Sequence, residues 1–209
     1  MTTDRTHFNK TWLTEMPEGT GNNATYETIK YNINDLKDNH MMPVRVSEDL
    51  YKIDLTSSAY YWYEKNDIIL LGSELQKESQ GWIVRATGKN PNLKGQPPYD
   101  SDLYHAILVD SNHSIRILSD NRLSDEGFDI WKKLFSLGHK ISVYDSQNPG
   151  QTFATFNTIS DFNQYFKHHD SSFRRYQYIL SESGMMLIET RSYFNTRRMR
   201  ELSGLGTDD

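Results

Sequence analysis

Residues able to do chemistry are scattered along this chain. His105 sits in an apolar stretch, where an imidazole titrating near neutral pH can act as a general base. It can equally be a satisfied strand residue. Asp102 and Asp110 flank that stretch and, with Asp120, could gather carboxylates at one end of a sheet to bind a metal or orient an amine. Solvated turn aspartates are the plainer reading. His168-His169-Asp170 has metal-ligand residue types, but adjacent helical histidines point about 100° apart and rarely share an ion. A solvated helix end fits them better. Asp67, Glu74 and Lys77 resemble the acidic-plus-lysine set of metal-dependent nucleases. A strand needs Glu-x-Lys for same-face placement, and Glu74-Leu75-Gln76-Lys77 is one residue too long. Lys89 and Lys94 border a Gly/Pro-rich loop and could contact phosphates, although a surface loop explains them too. Arg191, Arg197, Arg198 and Arg200, with Tyr193 and Phe194, form the densest basic stretch, suited to nucleic acid or an acidic partner surface. Two terminal aspartates weaken that charge.

These residues must be positioned by the elements around them. Tyr26, Ile29, Ile33 and Leu36 predict a helix over 25–38, with Asn39 as its stop. Strands dominate from 50 to 118. Residues 50–55 alternate, 60–64 and 68–72 form a hairpin across Lys65-Asn66-Asp67, and 82–86 form another strand. Residues 88–102 (GKNPNLKGQPPYDSD) read as a long loop, a length often tied to function. Residues 104–109 read as a strand paired with 115–118. Ser124 is a good N-cap, and Asp125 and Glu126 suit a helix N-terminus. Phe128, Trp131, Leu134 and Phe135 share one helical face, and Gly138 sits where a left-handed cap is needed. Ile141 and Val143 alternate in a strand ending at Tyr144 and Asp145. Strand, helix and strand joined so tightly predict a βαβ unit with parallel strands. Ser160 can cap a short helix bearing Phe162, Tyr165 and Phe166. Residues 176–180 and 185–188 then read as a hairpin.

The fold class expected is α+β, with a mixed, mostly antiparallel sheet around a central capped helix. The 209 residues divide into an N-terminal arm (1–24), one domain (25–190) and a basic C-terminal tail (191–209). Only 36% of residues are hydrophobic and mean hydropathy is −0.75, so burial must draw on 13 Tyr, 9 Phe and 4 Trp. A formal charge of −5 argues against sequence-independent DNA binding through the whole surface. The lack of cysteine excludes disulfides, Cys-based zinc sites and a thiol nucleophile. No apolar run approaches the roughly 20 residues that span a bilayer, and the first residues lack a signal-peptide core. Synthesis in the cytosol, with no membrane partner, is the expectation. In the polar arm, Trp12, Leu13 and Met16 suggest a docking segment.

A helix, a strand meander, then helix, strand, short helix and closing hairpin resembles the fold of the GCN5-related N-acetyltransferases. The resemblance covers roughly residues 26–188 and rests on element order. In that family the loop between the fourth strand and the central helix carries an Arg/Gln-x-x-Gly-x-Gly/Ala signature. Its amides and the helix N-terminus cradle the coenzyme A pyrophosphate. The matching segment here is 119–127, in which the resemblance implies cofactor-binding positions at Arg122, Ser124 and Gly127. Tyr144 and Asp145 end the strand after the helix, where the family's neighbouring strands splay around the acyl group. The resemblance implies Tyr144 as a general acid toward a leaving thiolate, with Asp145 beside it; His105, read separately above as a general base, is the third catalytic candidate. An edge-of-sheet tyrosine is the plain alternative. The chain is also similar in character to bacteriophage-encoded proteins, among which acetyltransferase-like domains occur in DNA-modifying enzymes and virion proteins.

Two functions are therefore expected. One is a non-catalytic phage virion or assembly component that needs no cofactor. It would dock onto neighbouring protein chains through Trp12, Leu13, Arg197, Arg198 and Arg200, with nucleic acid a further partner for the Arg-rich tail. The other is an active N-acyltransferase using acetyl-CoA to modify an amine on a small molecule, protein or nucleobase.

Overall fold

Tyr26, Ile29 and Ile33 fall on one face of the first helix, α1 (Asn22–Asp38), and all three are buried. Full burial of each isoleucine contributes roughly 1.5–3 kcal/mol relative to exposure. The helix ends where His40 turns left-handed (φ 64°) and the Met41 amide reaches back to the Leu36 carbonyl at 3.0 Å. The structure, a computed structural model, describes residues 22–79, 81–112, 114–120, 123, 125–145, 152–165 and 175–181.

A meander follows α1: β1 (Val44–Arg45), β2 (Leu50–Asp54), β3 (Ser58–Lys65), β4 (Ile68–Glu78) and β5 (Gly81–Lys89). The β3–β4 hairpin turns through Asn66 (φ 50°) and Asp67 (φ 60°), a two-residue left-handed turn that matches strand twist. Then come α2 (Asp100–Asp110), β6 (Ile117–Leu118), α3 (Asp125–Ser136), β7 (Lys140–Asp145), β8 (Thr152–Thr155), a 3-10 helix (Ile159–Gln164) and β9 (Tyr176–Ser181). The fold is α+β, with a mostly antiparallel open sheet that has nine strands among the described residues, in the order β1-β2-β3-β4-β5-β6-β9-β7-β8. Among the described residues only β5 and β6 pair in parallel. No helix among them is long and apolar enough to cross a membrane.

Several expectations are corrected. Residues 104–109 are the heart of α2 and pair with no strand; the short strand Ile117–Leu118 pairs with β5 and β9 instead. The loop expected over 88–102 is shortened from both ends, by β5 running to Lys89 and by α2 beginning at Asp100. Strands β6 and β7 run in the same direction, but β9 lies between them and pairs antiparallel with both. The βαβ unit is thus split. The short helix after β8 is 3-10, and its N-cap is Thr158 rather than Ser160. The second strand of the closing hairpin, at 185–188, lies outside the described residues.

The sheet is buried on two faces. Alternation along β3 sends Ala59 and Tyr61 into the larger core under α2 and α3, and Tyr60 and Trp62 into the core under α1. Two glycines seat α1. Gly72 and Gly88 are cross-strand partners on β4 and β5. A Cβ on Gly88 would stand 2.5 Å from Tyr26 Cα and 2.6 Å from its amide nitrogen. A Cβ on Gly72 would meet a side-chain methyl of Ile29 at 2.8 Å. Gly88→Ala is expected to lower unfolding free energy by about 1–3 kcal/mol, read by urea denaturation. Gly72→Ala is expected to cost less, because a side chain can rotate and a helix backbone cannot. Equal costs would show that α1 itself gives way.

Candidate functional site

The one parallel pairing among the described residues, β5 with β6, is a local departure from the antiparallel sheet. Here β5 and β6 pair only through Trp82–Ile117 and Ile83–Leu118. Beyond Ile83, β5 bulges: Leu75 faces Val84 while Glu74 faces Ala86, leaving Arg85 as the extra residue. A bulge bends and over-twists its strand. Arg85 Nε is held by Gln76 Oε1 at 2.6 Å. On the other side, Ser119 turns its polar groups toward β9. Its amide donates to the Tyr178 carbonyl at 2.8 Å, its hydroxyl accepts from the Tyr178 amide at 2.9 Å, and its carbonyl accepts from Gln177 Nε2 at 3.0 Å. The two strands therefore part after two residues of pairing.

The side chains around the parting strands are mostly committed to one another. Tyr104 on α2 is buried, and its hydroxyl meets Thr87 Oγ1 at 2.8 Å. Thr87 meets Ser73 Oγ at 2.9 Å, and Ser73 donates to the Ala86 carbonyl at 3.0 Å. Because Ser73 spends its proton on that carbonyl, Thr87 donates to Ser73 and Tyr104 donates to Thr87. Lys89, 8% exposed, donates to the Gln96 carbonyl and lies 4.9 Å over the Tyr99 ring. Burial pushes its ammonium below the usual lysine range, and Asp100 and Asp102 pull it back. At the α2 N-terminus, Asp102 accepts from the Tyr99 amide at 3.2 Å. Burial raises the neighbouring Asp100 carboxyl; its own amide and Lys89 oppose that.

The sequence-derived site residues do not converge. His105 is on α2, half-buried, with its ring beside His139. Tyr144 is buried with Leu118 and Ile179 on the face of the sheet opposite α2 and α3. Asp145, 1% exposed, is bound by the Arg175 guanidinium, whose Nε lies 3.1 Å from both carboxylate oxygens. Tyr144, His105 and Asp145 thus do not form one catalytic set: the sheet separates the first two, and the third holds an ion pair. Gly127 lies in the first turn of α3. Arg122, Ser124, Trp12, Leu13, Arg197, Arg198, Arg200 and the His168-His169-Asp170 run lie outside the described residues. Asp102 and Asp110 stand at opposite ends of α2 and cannot gather. Asp110 instead takes Lys52 Nζ at 2.6 Å and the Tyr61 hydroxyl at 2.8 Å. Glu74 faces Tyr60 and Arg85, whereas Lys77 serves the Leu55 carbonyl and Asp54.

No protein-family model matches this chain, and no curated protein matches it.

One buried group stands apart. Tyr178 is 2% exposed, ringed by Phe128, Trp131, Phe156 and Phe162, and its hydroxyl has no hydrogen-bond partner among the described residues. Sequence reading missed Tyr178 and Ser119 because both matter only through strand neighbours. The start of α2 did leave a signal, in the acidic residues Asp100 and Asp102 after two prolines.

Two outcomes follow. A carboxyl whose folded pKa is raised opposes folding when ionised; the penalty is absent below the unfolded value and grows as pH rises through the folded one. Asp100→Asn is therefore expected to be more stable than the parent at neutral pH, with the difference fading as pH falls below 3.8, the ordinary aspartate value. Thermal melts across pH check this, and a pH-independent difference would contradict it. Tyr178→Phe removes an unpartnered buried hydroxyl and is expected to leave stability unchanged or raise it by about 1 kcal/mol, read by urea denaturation.

Proposed function

We propose that this chain is an acetyltransferase-like scaffold without catalytic turnover, serving as a component of a larger protein assembly such as a phage virion. What supports this reading is the α2 N-terminus, an end of a helix that suits an anion, where the first turn carries Asp100 and Asp102. In the observed strand order, adjacent parallel strands joined through a helix occur at β5–α2–β6. On this reading residues 90–99, between β5 and α2, are a second candidate for the family's cofactor loop beside 119–127. Lys94-Gly95-Gln96 followed by Pro97-Pro98 does not supply the signature's glycines. Asp102 takes the Tyr99 amide, and Asp100 adds a second acid to the first turn. A pyrophosphate there would meet like charge where the family offers free amides.

Exposed Met42, just before the edge strand β1, and exposed Val44 within it support the assembly half of the reading. An edge strand with exposed apolar side chains is a template for pairing with another chain. The alternative, an active N-acyltransferase using acetyl-CoA, draws support from the parting of β5 and β6, the place where the family holds its acyl group.

A thermal-shift titration of the full chain with acetyl-CoA and free coenzyme A separates the two. A ligand at 100 times its dissociation constant stabilises by about 2.7 kcal/mol. No shift at millimolar ligand is expected. A clear shift with either compound would overturn the scaffold reading in favour of the enzyme. A chain that sediments as a monomer at every concentration and binds no partner would overturn the assembly half.

A further inference from the structure

We propose that a polar cleft between α1 and the β3–β4 turn is a binding site for a neutral carbohydrate of one or two sugar rings. The cleft has a volume of about 310 Å3, at the lower end of the roughly 300–1,000 Å3 range of small-ligand pockets. Three elements wall it. α1 supplies Lys30 and Asn34, the turn into β4 supplies Asp67 and Ile68, and the 3-10 turn Pro91–Leu93 after β5 supplies Asn92. These walls are set by the fold itself. The Tyr26 hydroxyl donates to the Ile69 carbonyl at 2.8 Å and ties α1 to β4. The Asn90 amide donates to the Leu70 carbonyl at 2.9 Å, and the Asn90 side chain accepts from the Asn92 amide at 3.0 Å. The left-handed backbone of Asn66 and Asp67 shapes the third wall.

The lining selects the ligand. Asn34, Asp67 and Asn92 come from separate walls, and none of their side chains holds a hydrogen bond or ion pair among the described residues. An amide both donates and accepts, and a carboxylate accepts. A sugar hydroxyl does both, so one polyol can meet all three walls. Charge disfavours the rivals. Glu27 and Asp67 outweigh Lys30, which pairs with Glu27 at 3.3 Å, so an anion is repelled. Lys30 in turn opposes a cation, and no group of three or more His, Asp or Glu able to hold a metal gathers among the described residues. The apolar surface is small but placed for use. Ile68, in the cleft, is 53% exposed. Tyr31, 62% exposed, stands one helical turn from both Glu27 and Asn34 and so borders the cleft on α1. A sugar ring has a C–H face beside its hydroxyl edge, and an exposed tyrosine ring suits that face. Asn34, Asp67 and Tyr31 take no part in the scaffold reading above, so the two proposals stand or fall separately.

The test is saturation-transfer NMR of the full chain with glucose, galactose, N-acetylglucosamine, lactose and cellobiose, each titrated through the millimolar range. Saturable binding of at least one is expected. Asp67→Gly keeps the left-handed turn while removing the carboxylate. It is expected to weaken binding about tenfold, the loss of a hydrogen bond to a charged group. Asn34→Ala is expected to weaken it about fivefold, and Tyr31→Ala to weaken it as well. Lys133→Ala, exposed on α3, is expected to bind as the parent does. Asn34 and Asp67 are exposed, so neither substitution opens the core, and thermal melts check that both variants fold. The proposal is overturned by no saturable binding of any of these sugars, or by unchanged affinity in either the Asp67 or the Asn34 variant.

Discussion

Ser119 commits its amide, hydroxyl and carbonyl to β9, and the rest of the sheet is arranged around that commitment. One residue earlier the chain still pairs with β5 through Leu118. Beyond it, the backbone belongs to Tyr178 and Gln177. A strand has two edges, but past Leu118 β6 uses only the one facing β9. The bulge at Arg85 falls on β5 just past Ile83, its last residue paired with β6. The parting of the strands thus has a cause in Ser119 and is not a defect of pairing.

On the meander side, the same sheet is held by close approach. Gly72 and Gly88 face each other across β4 and β5 and put no side chain of their own against α1. Large aromatics then fill what the glycines vacate on either side: Tyr60 and Trp62 under the helix, Tyr61 on the reverse face. Much of the aromatic content thus goes into a sheet that is buried on both sides, which explains how a chain of such low hydropathy builds two cores.

Some of this was legible in the sequence and some was not. α1, the β3–β4 hairpin, α3 and β7 were legible because each carries its own hydrophobic period and its own stop. Residues 104–109 misled, since an apolar, partly β-branched run satisfies a strand as well as a helix. The buried set Ser101, Leu103, Tyr104, Ile107 and Leu108 has helical spacing once the start at Asp100 is recognised. The insertion of β9 between β6 and β7 was not legible, because which strand pairs with which is decided by residues far apart in the chain. The same holds for the site. Alternation places Tyr144 and Asp145 at a strand end, but nothing near them in sequence announces Arg175 as the partner of Asp145, or His139 as the neighbour of His105.

The position of β9 also orders the events of synthesis. In the meander from β1 to β5 each strand pairs with the next one in sequence, so every partner is at hand once it has been made. The next strands cannot do this: β6 and β7 are bridged only by a strand that follows both of them, along with β8 and a 3-10 helix. Until Tyr176 to Ser181 emerge, the inner edges of β6 and β7 face each other across a vacant strand width. Long-range strand insertion is slow, and waiting edges invite mispairing. A chain stalled or truncated before residue 176 would thus present two unpaired β-edges beside an otherwise finished half.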